Sequence, residues 1–250
     1  MRAPDFNSWR QIPLDVEHYD YLRLSPWKRF WSDLVLTLAT GILFLLDHLV
    51  LGLRVEGREN LEAVKGSGAV TVCNHVHWLD CTFLLQAQWP RRQYFISLQS
   101  NMQLPFIRHL LRLARCMPVP QERRLLRDFS DAMDAALRAG GIVNIYPEGW
   151  LIPYDTALRE FKNGAFSHAK DAGVPVVPMC VTYRQGRGLW RFKRRPCMTL
   201  HIMPPVYPDP AAPRGPDTVR LRETCRAAME RCLAEVPARE AEECPTAVLS

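Results

Sequence analysis

The sequence predicts an α/β fold: a mixed, largely parallel sheet flanked by helices, with an N-terminal membrane-associated helical segment. Three observations predict it. From Gly57 onward, short β-branched runs alternate with stretches of helical apolar spacing, the pattern of strands joined by crossover helices. A single long apolar stretch, Leu34 to Leu53, precedes them. The 250 residues, 48% apolar and 23% charged, can bury a sizeable core. That composition excludes wholesale disorder, a collagen and a multi-span membrane protein.

The first thirty residues are polar and aromatic, broken by Pro4, Pro13 and Pro26. No apolar stretch begins near Met1 and no small-residue cleavage site follows one, so a secretory signal is not expected. Leu34 to Leu53 reads LVLTLATGILFLLDHLVLGL. Twenty helical residues at about 1.5 Å each span roughly 30 Å, a full hydrocarbon core. Asp47 and His48 interrupt it and leave Leu34 to Leu46 uninterrupted. An acid deep in a bilayer costs about 2.5–3.5 kcal/mol. Immediately before lies Trp27-Lys28-Arg29-Phe30-Trp31, with the aromatic rings and cations of an interfacial anchor. A half-inserted or in-plane helix is preferred. A true span comes second and a helix buried in a soluble core third.

Ala69 to Cys73 reads as a buried strand and Tyr94 to Ser97 as another. Pro105 to Arg115 and Arg124 to Ala139 carry helical spacing, the second ending at Gly140-Gly141. Ile142 to Tyr146 is a strand, Glu160 to Ala172 a helix closed by Gly173, Val176 to Tyr183 a strand and Met198 to Met203 the last strand. Pro204 to Pro216 reads as a surface linker. Asp217 to Val236 is an amphipathic helix with Val219, Cys225, Met229, Cys232 and Val236 on one side, and the tail from Pro237 is loose. The chain thus divides into an arm and membrane helix (1–53), an α/β domain (54–206) and a C-terminal linker, helix and tail (207–250).

The net charge of +6 favours anionic partners such as phospholipid surfaces. Eight cysteines without a C-x-x-C pair are no disulfide scaffold. Cys73 and Cys180 sit inside apolar runs, as small buried hydrophobes do. A reducing compartment follows, here the cytoplasmic face of a membrane.

The segment Cys73-Asn74-His75-Val76-His77-Trp78-Leu79-Asp80 follows a strand with an Asn, two His and an Asp. It admits a plain polar turn capped by Asn74 and Asp80, or a metal site using His75 and His77. It also admits an acid–base dyad: if a helix begins between them, Asp80 reaches back to one imidazole nitrogen of His75. The other nitrogen is then left to take a proton from a hydroxyl. A second strand ends in Asn144-Ile145-Tyr146-Pro147-Glu148-Gly149-Trp150, where glycine permits close approach of a ligand. Glu160-Phe161-Lys162-Asn163-Gly164-Ala165 and Gly173-Val174-Pro175-Val176-Val177-Pro178 come later.

Asn-His-x4-Asp, Tyr-Pro-Glu-Gly, Phe-Lys-x-Gly-Ala and Val-Pro-Val-Val-Pro, in this order, resemble the glycerolipid acyltransferases. The 1-acylglycerol-3-phosphate acyltransferases are the nearest well-known members. The resemblance runs from Val55 to Tyr183, more loosely to Val206. It implies transfer of a fatty acyl group from acyl-CoA or acyl carrier protein to a hydroxyl of a lysophospholipid-like acceptor, with no metal or other cofactor. It implies His75 as general base, Asp80 as its orienting partner, Glu148 and Gly149 in the acceptor-binding turn, Lys162 in a matching basic motif, and Pro175 and Pro178 in a strand shaping the site. An α/β domain tethered by N-terminal helices that enter one leaflet is the implied fold.

Departures from the family pattern concern the acceptor. The family turn continues with Thr and then an Arg that meets the acceptor phosphate; Trp150 and Leu151 stand there. His77 replaces a Ser, a basic residue is missing near Leu98 and Gln99, and Arg115 and Gln121 replace a Gly and an Arg. Arg123, Arg124 or Arg127 could supply the charge, or form an ordinary solvated face. An acceptor without a terminal phosphate, such as a hydroxylated acyl-amino-acid lipid, and a non-catalytic lipid-binding protein stay open beside the lysophospholipid. Arg184 to Arg195 reads RQGRGLWRFKRR. Basic residues interleaved with aromatics suit an anionic lipid surface. Nucleic acid is not an expected partner, because it has no use for Leu34–Leu53.

Overall fold

A computed structural model describes residues 12–22, 25–105 and 107–243. Seven strands form one sheet: β1 (Arg54–Glu56), β2 (Ala69–Cys73), β3 (Gln93–Leu98), β4 (Cys116–Val119), β5 (Ile142–Ile145), β6 (Val176–Arg184) and β7 (Cys197–Ile202). Their order is β1-β7-β6-β2-β5-β3-β4. Neighbours pair in parallel except β6 with β7, so the sheet is mixed and largely parallel, as predicted. The helices are α1 (Pro26–Leu46), α2 (Glu59–Glu62), α3 (Asp80–Gln88), α4 (Ile107–Leu113), α5 (Leu126–Arg138), α6 (Gly164–Ala172) and α7 (Arg214–Glu243).

Strand periodicity splits the core into two layers. In β2, Ala69 and Cys73 face one cluster with Leu36, Phe83, Leu84 and Leu200. Val70 and Val72 face the other, with Phe129, Leu137, Phe166, Leu221 and Met229. Parallel strands covered on both faces are apolar throughout rather than alternating, and all five residues of β2 are buried. Between the layers lies a polar seam. Asn144 accepts hydrogen bonds from Thr71 Oγ1 (2.6 Å) and Gln88 Nε2 (2.8 Å), and donates to the Tyr94 carbonyl at 3.2 Å. Asn144→Ala strands two buried donors, each costing about 1–3 kcal/mol. The expected loss is on the order of 3 kcal/mol, read as a lower urea midpoint with an unchanged slope.

Several elements differ from the sequence reading. β1 has three residues, too few for a period to register, and the four of β4 are interrupted by Pro118, a residue that reads against a strand. The helix expected from Pro105 begins at Ile107 and ends at Leu113. Arg115 then turns into a left-handed conformation with φ of 56°. The helix expected from Glu160 begins at Gly164, because Glu160 to Asn163 stay irregular while the Lys162 amide donates back to the Pro147 carbonyl at 2.9 Å. The supposed linker is partly α7, which starts at Arg214 and runs through Pro237 to Glu243. The Ala-Arg-Glu-Ala-Glu-Glu that follows Pro237 has high helix propensity. Its buried side is Leu221, Cys225, Met229 and Val236; Val219, expected there, is 43% exposed. Residues 1–11 of the N-terminal arm and the end of the tail, 244–250, lie outside the described residues.

α1 has an inverted amphipathic pattern. Ser32, Leu36, Thr40 and Asp47 are buried against the domain. Ser32 donates to the Leu113 carbonyl at 2.9 Å, and Asp33 pairs with Arg115 and, at 3.4 Å, with Arg92. Asp47 opens a short π-helical turn, Asp47–Leu51, and accepts from Thr82 Oγ1 at 2.5 Å and from Gln86. The acid that interrupts the apolar run is therefore a latch to α3. The outward side carries Trp27, Phe30, Trp31, Leu34, Leu38, Ile42, Leu45 and Leu49. Arg29–Leu51 is long and apolar enough to cross a membrane by length and composition.

Candidate active site

β2 lies between β5 and β6, with β5 inserted between β2 and β3. A change of winding of this kind opens a crevice at the carboxyl ends of parallel strands. Val72 is opposite Ile145, so the segments that leave β2 and β5 emerge side by side. Asn74 continues the sheet as a side chain: its Nδ2 donates to the Val181 carbonyl at 3.0 Å, and its Oδ1 accepts the Val181 amide at 2.8 Å. That tie fixes the chain just before His75.

α3 begins at Asp80, so the turn expected between the two residues of the dyad is present. Asp80 Oδ2 lies 2.7 Å from His75 Nδ1. The same oxygen accepts the amides of Val76 at 3.1 Å and His77 at 3.3 Å. Those amides hold the carboxylate in place. Asp80 is 1% exposed and the His75 side chain 25% exposed. One edge of the imidazole is therefore buried and engaged while the rest reaches the surface. The ring lies flat on Tyr146, with centroids 4.0 Å apart and planes 15° off parallel.

His77 is not a second member of this pair. It is buried, its Nδ1 accepts the Leu79 amide at 3.2 Å, and its ring packs on Phe83 and against the edge of Tyr154. Burial holds its pKa below the usual histidine range. Among the described residues no group of three His, Cys, Asp or Glu stands where it could hold a metal ion.

The loop from β5 to α6 folds over the same spot. The Ile152 amide donates to the His75 carbonyl at 3.1 Å, and the Tyr154 amide to the Val76 carbonyl at 2.9 Å. Glu148 is 3% exposed. Its carboxylate accepts from Arg159, whose guanidinium also donates to the Trp150 carbonyl at 2.8 Å. Burial pushes the Glu148 pKa up, and Arg159 works against that rise. Gly149 has φ of 89°, and a Cβ there would come within 2.7 Å of Lys162 Nζ. Trp150 is flanked by cations: its ring centre is 5.6 Å from Lys162 Nζ and 5.9 Å from the Arg159 guanidinium carbon.

The acyltransferase family model matches residues 52–182, just over half of the chain. The chain belongs to the acyltransferase family. The O-acyltransferase is 28% identical over 201 residues to the 1-acyl-sn-glycerol-3-phosphate acyltransferase of Salmonella typhimurium, covering 76% of this chain and 77% of that one. It is 27% identical, over the same shares, to the protein of that name from Escherichia coli. Its fold is similar to the crystal structure of the 1-acyl-sn-glycerophosphate acyltransferase PlsC from Thermotoga maritima, with a TM-score of 0.62, 21% identity, and 86% and 85% of the two chains covered.

Five of the residues singled out in the sequence fall in two adjoining segments of the acyltransferase, while Pro178 lies in β6 opposite Val72. His75 and Asp80 touch; Glu148, Gly149 and Lys162 form the neighbouring turn, joined to it through Tyr146 and the 152–154 backbone. Two of the cations offered as replacements from α5 and its lead-in have other partners: Arg124 pairs with Glu17 and Glu122, and Arg127 lies 3.9 Å from Asp131. Arg159 was not singled out by sequence reasoning. It lies outside every motif, three residues before Lys162, and no periodicity marks it. Arg115 holds a left-handed backbone conformation of the kind glycine favours and spends its charge on Asp33.

Proposed function

We propose that this acyltransferase moves a fatty acyl group from acyl-CoA or acyl carrier protein to a hydroxyl of a lysophospholipid-like acceptor. It does so at the cytoplasmic face of a membrane, in phospholipid synthesis or remodelling. The observation that carries the reading is the 2.7 Å contact of His75 Nδ1 with Asp80 Oδ2. Asp80 accepts a hydrogen bond from the Nδ1–H and so leaves Nε2 as the basic nitrogen. Nε2 takes the proton of the acceptor hydroxyl while that oxygen attacks the thioester carbonyl carbon. The tetrahedral intermediate collapses, the carbon–sulfur bond breaks, and the thiolate recovers the proton from Nε2. This is triad chemistry with the substrate hydroxyl in place of a protein nucleophile, and no step draws on a metal or other cofactor.

The outward apolar stripe of α1 supports the membrane reading. A helix that buries Ser32 and Thr40 against its own domain and leaves Trp27, Phe30, Leu34, Leu38, Ile42 and Leu45 outward is built to lie with that side in a lipid interface. The acceptor turn supports the substrate class. Leu151 offers no charge, and Arg159 is committed to Glu148 and the Trp150 carbonyl. Lys162, exposed over Trp150, is a point charge without the fork that recognises a terminal phosphate bidentately. Phosphate monoesters and diesters should both be accepted.

The test is release of free thiol from acyl-CoA and from acyl carrier protein by the purified full chain with a panel of acceptors. Thiol release that depends on a lysophospholipid is expected, with kcat/KM for lysophosphatidic acid less than about tenfold above that for lysophosphatidylglycerol. A stronger preference for lysophosphatidic acid refutes the acceptor argument. Lipid binding without thiol release, for every acceptor and for both donor types, refutes catalysis.

A further inference from the structure

The loop between β6 and β7 is left unused by the chemistry, yet it is elaborately built. A 3-10 turn, Gly188–Phe192, forms its tip. Trp190 Nε1 donates to the Leu49 carbonyl at 2.9 Å, and Lys193 Nζ to the Leu51 carbonyl at 2.9 Å. The Arg184 guanidinium donates to the Gly52 carbonyl. Gly186 is required at the base of the loop, because a Cβ there would lie 2.0 Å from the Trp190 carbonyl oxygen. Three side chains from the end of β6 and the loop thus satisfy carbonyls at the end of the apolar helical segment, groups that would otherwise lack partners away from water.

Those same contacts hold the loop tip beside Leu49 and Val50, which end the outward stripe of α1. Leu189 is 89% exposed and Phe192 78%, the highest values for large apolar side chains among the described residues. Cations surround them. Arg187, Arg191 and Arg194 are exposed, and the Arg191 guanidinium lies 4.4 Å from the centre of the Phe192 ring. Arg195 leans the other way, over Tyr154 of the site loop.

We propose that this loop is a second membrane-contact element, selective for anionic phospholipid. Leu189 and Phe192 enter the lipid surface next to α1, and Arg187, Arg191 and Arg194 meet lipid phosphates. Apolar tips ringed by arginine complement a negatively charged interface, whereas an ordinary solvated loop has no reason to expose leucine and phenylalanine. The proposal rests on the membrane reading above and adds a headgroup preference from the loop's own arginines, beyond Lys28 and Arg29 at the start of α1.

Cosedimentation of the full chain with vesicles tests it. One set is phosphatidylcholine alone, the other an equal mixture with phosphatidylglycerol. A cation near an anionic surface is worth about fivefold in binding. Arg191→Gln with Arg194→Gln should therefore lose about 25-fold on the mixed vesicles and almost nothing on phosphatidylcholine. Leu189→Ser with Phe192→Ser should weaken binding to both sets, by on the order of tenfold. All four side chains are exposed, so an unchanged thermal melt checks that each variant folds. If wild type and both variants bind the two sets alike, α1 alone carries the attachment: the loop proposal falls and the membrane reading stands. If wild type binds neither set, both fall.

Discussion

His75→Ala should lower kcat by about 10²- to 10⁴-fold, the range of a positioned base, with the fold retained. The residue is a quarter exposed, and its side chain holds no part of the sheet together. Asp80→Asn should be almost as costly for a different reason. Oδ2 accepts three hydrogens, from His75, Val76 and His77. An asparagine oxygen can keep the amides, but the imidazole loses the charge that supports its protonated form during transfer. His77→Ala is the control. It leaves the Leu79 amide without its acceptor and should cost about 1–3 kcal/mol of stability, while turnover per folded molecule falls less than tenfold. Single-turnover acyl transfer together with urea titration separates the two effects. His77→Ala as severe as His75→Ala in a fully folded protein would remove the dyad from the mechanism.

His77 also gives a pH dependence with a definite sign. Its pKa is depressed by burial in the folded chain, and the unfolded chain has the ordinary value near 6.5. Below that pH the unfolded state binds the extra proton, so stability falls as pH drops through about 6.5.

Arg159→Met should be the most damaging change outside the dyad. It leaves the Glu148 carboxylate buried and uncompensated, a situation that costs about 3–5 kcal/mol. The carboxyl can escape part of that by holding its proton. Its folded pKa is already raised, by burial, above the ordinary value, and loss of Arg159 raises it further. A raised folded pKa means that this group's contribution is most favourable below about pH 4.5 and is lost as pH rises through the folded value. The variant should therefore lose stability with rising pH over a wider window than wild type. Adding Glu148→Gln should restore most of the stability and flatten that dependence. If Arg159→Met and wild type show the same urea midpoint from acid to neutral pH, Arg159 is not the counter-charge of Glu148. The double variant also reports on function: a raised KM for the acceptor with unchanged kcat would place the turn in acceptor binding rather than in the chemical step.

Much of this molecule could be read from its residues. β2, β3, β5 and β6 were legible because a strand covered on both faces is a short, dense apolar run. α5 was legible from a 3.6-residue apolar period closed by Gly140. The His75–Asp80 dyad was legible because its partners lie five residues apart, where a single turn decides the geometry. β1 was not, because three residues carry no measurable period, and β4 was not, because Pro118 interrupts its short apolar run. The first turn of the helix expected at Glu160 was misread because Phe161 is apolar for the packing of the loop, where it stacks on Phe166, rather than for a helix face.

By itself the sequence determined the α/β class, the two polar turns that follow strands, and the pairing of His75 with Asp80 across one of them, because each is encoded in a local pattern. Only the tertiary structure decided what distant residues do to one another. It buried Asp47 against Thr82 and Gln86, so an acid that reads as a break in a membrane helix holds that helix to α3. It turned His77 into the core while leaving His75 at the surface, although the two are alike in sequence. It brought Arg159 to Glu148 and Trp190 to the end of α1, across eleven and 141 residues. A buried charge or an unpaired carbonyl is costly wherever the chain leaves it, and its partner is set by the sheet order, not by separation along the chain.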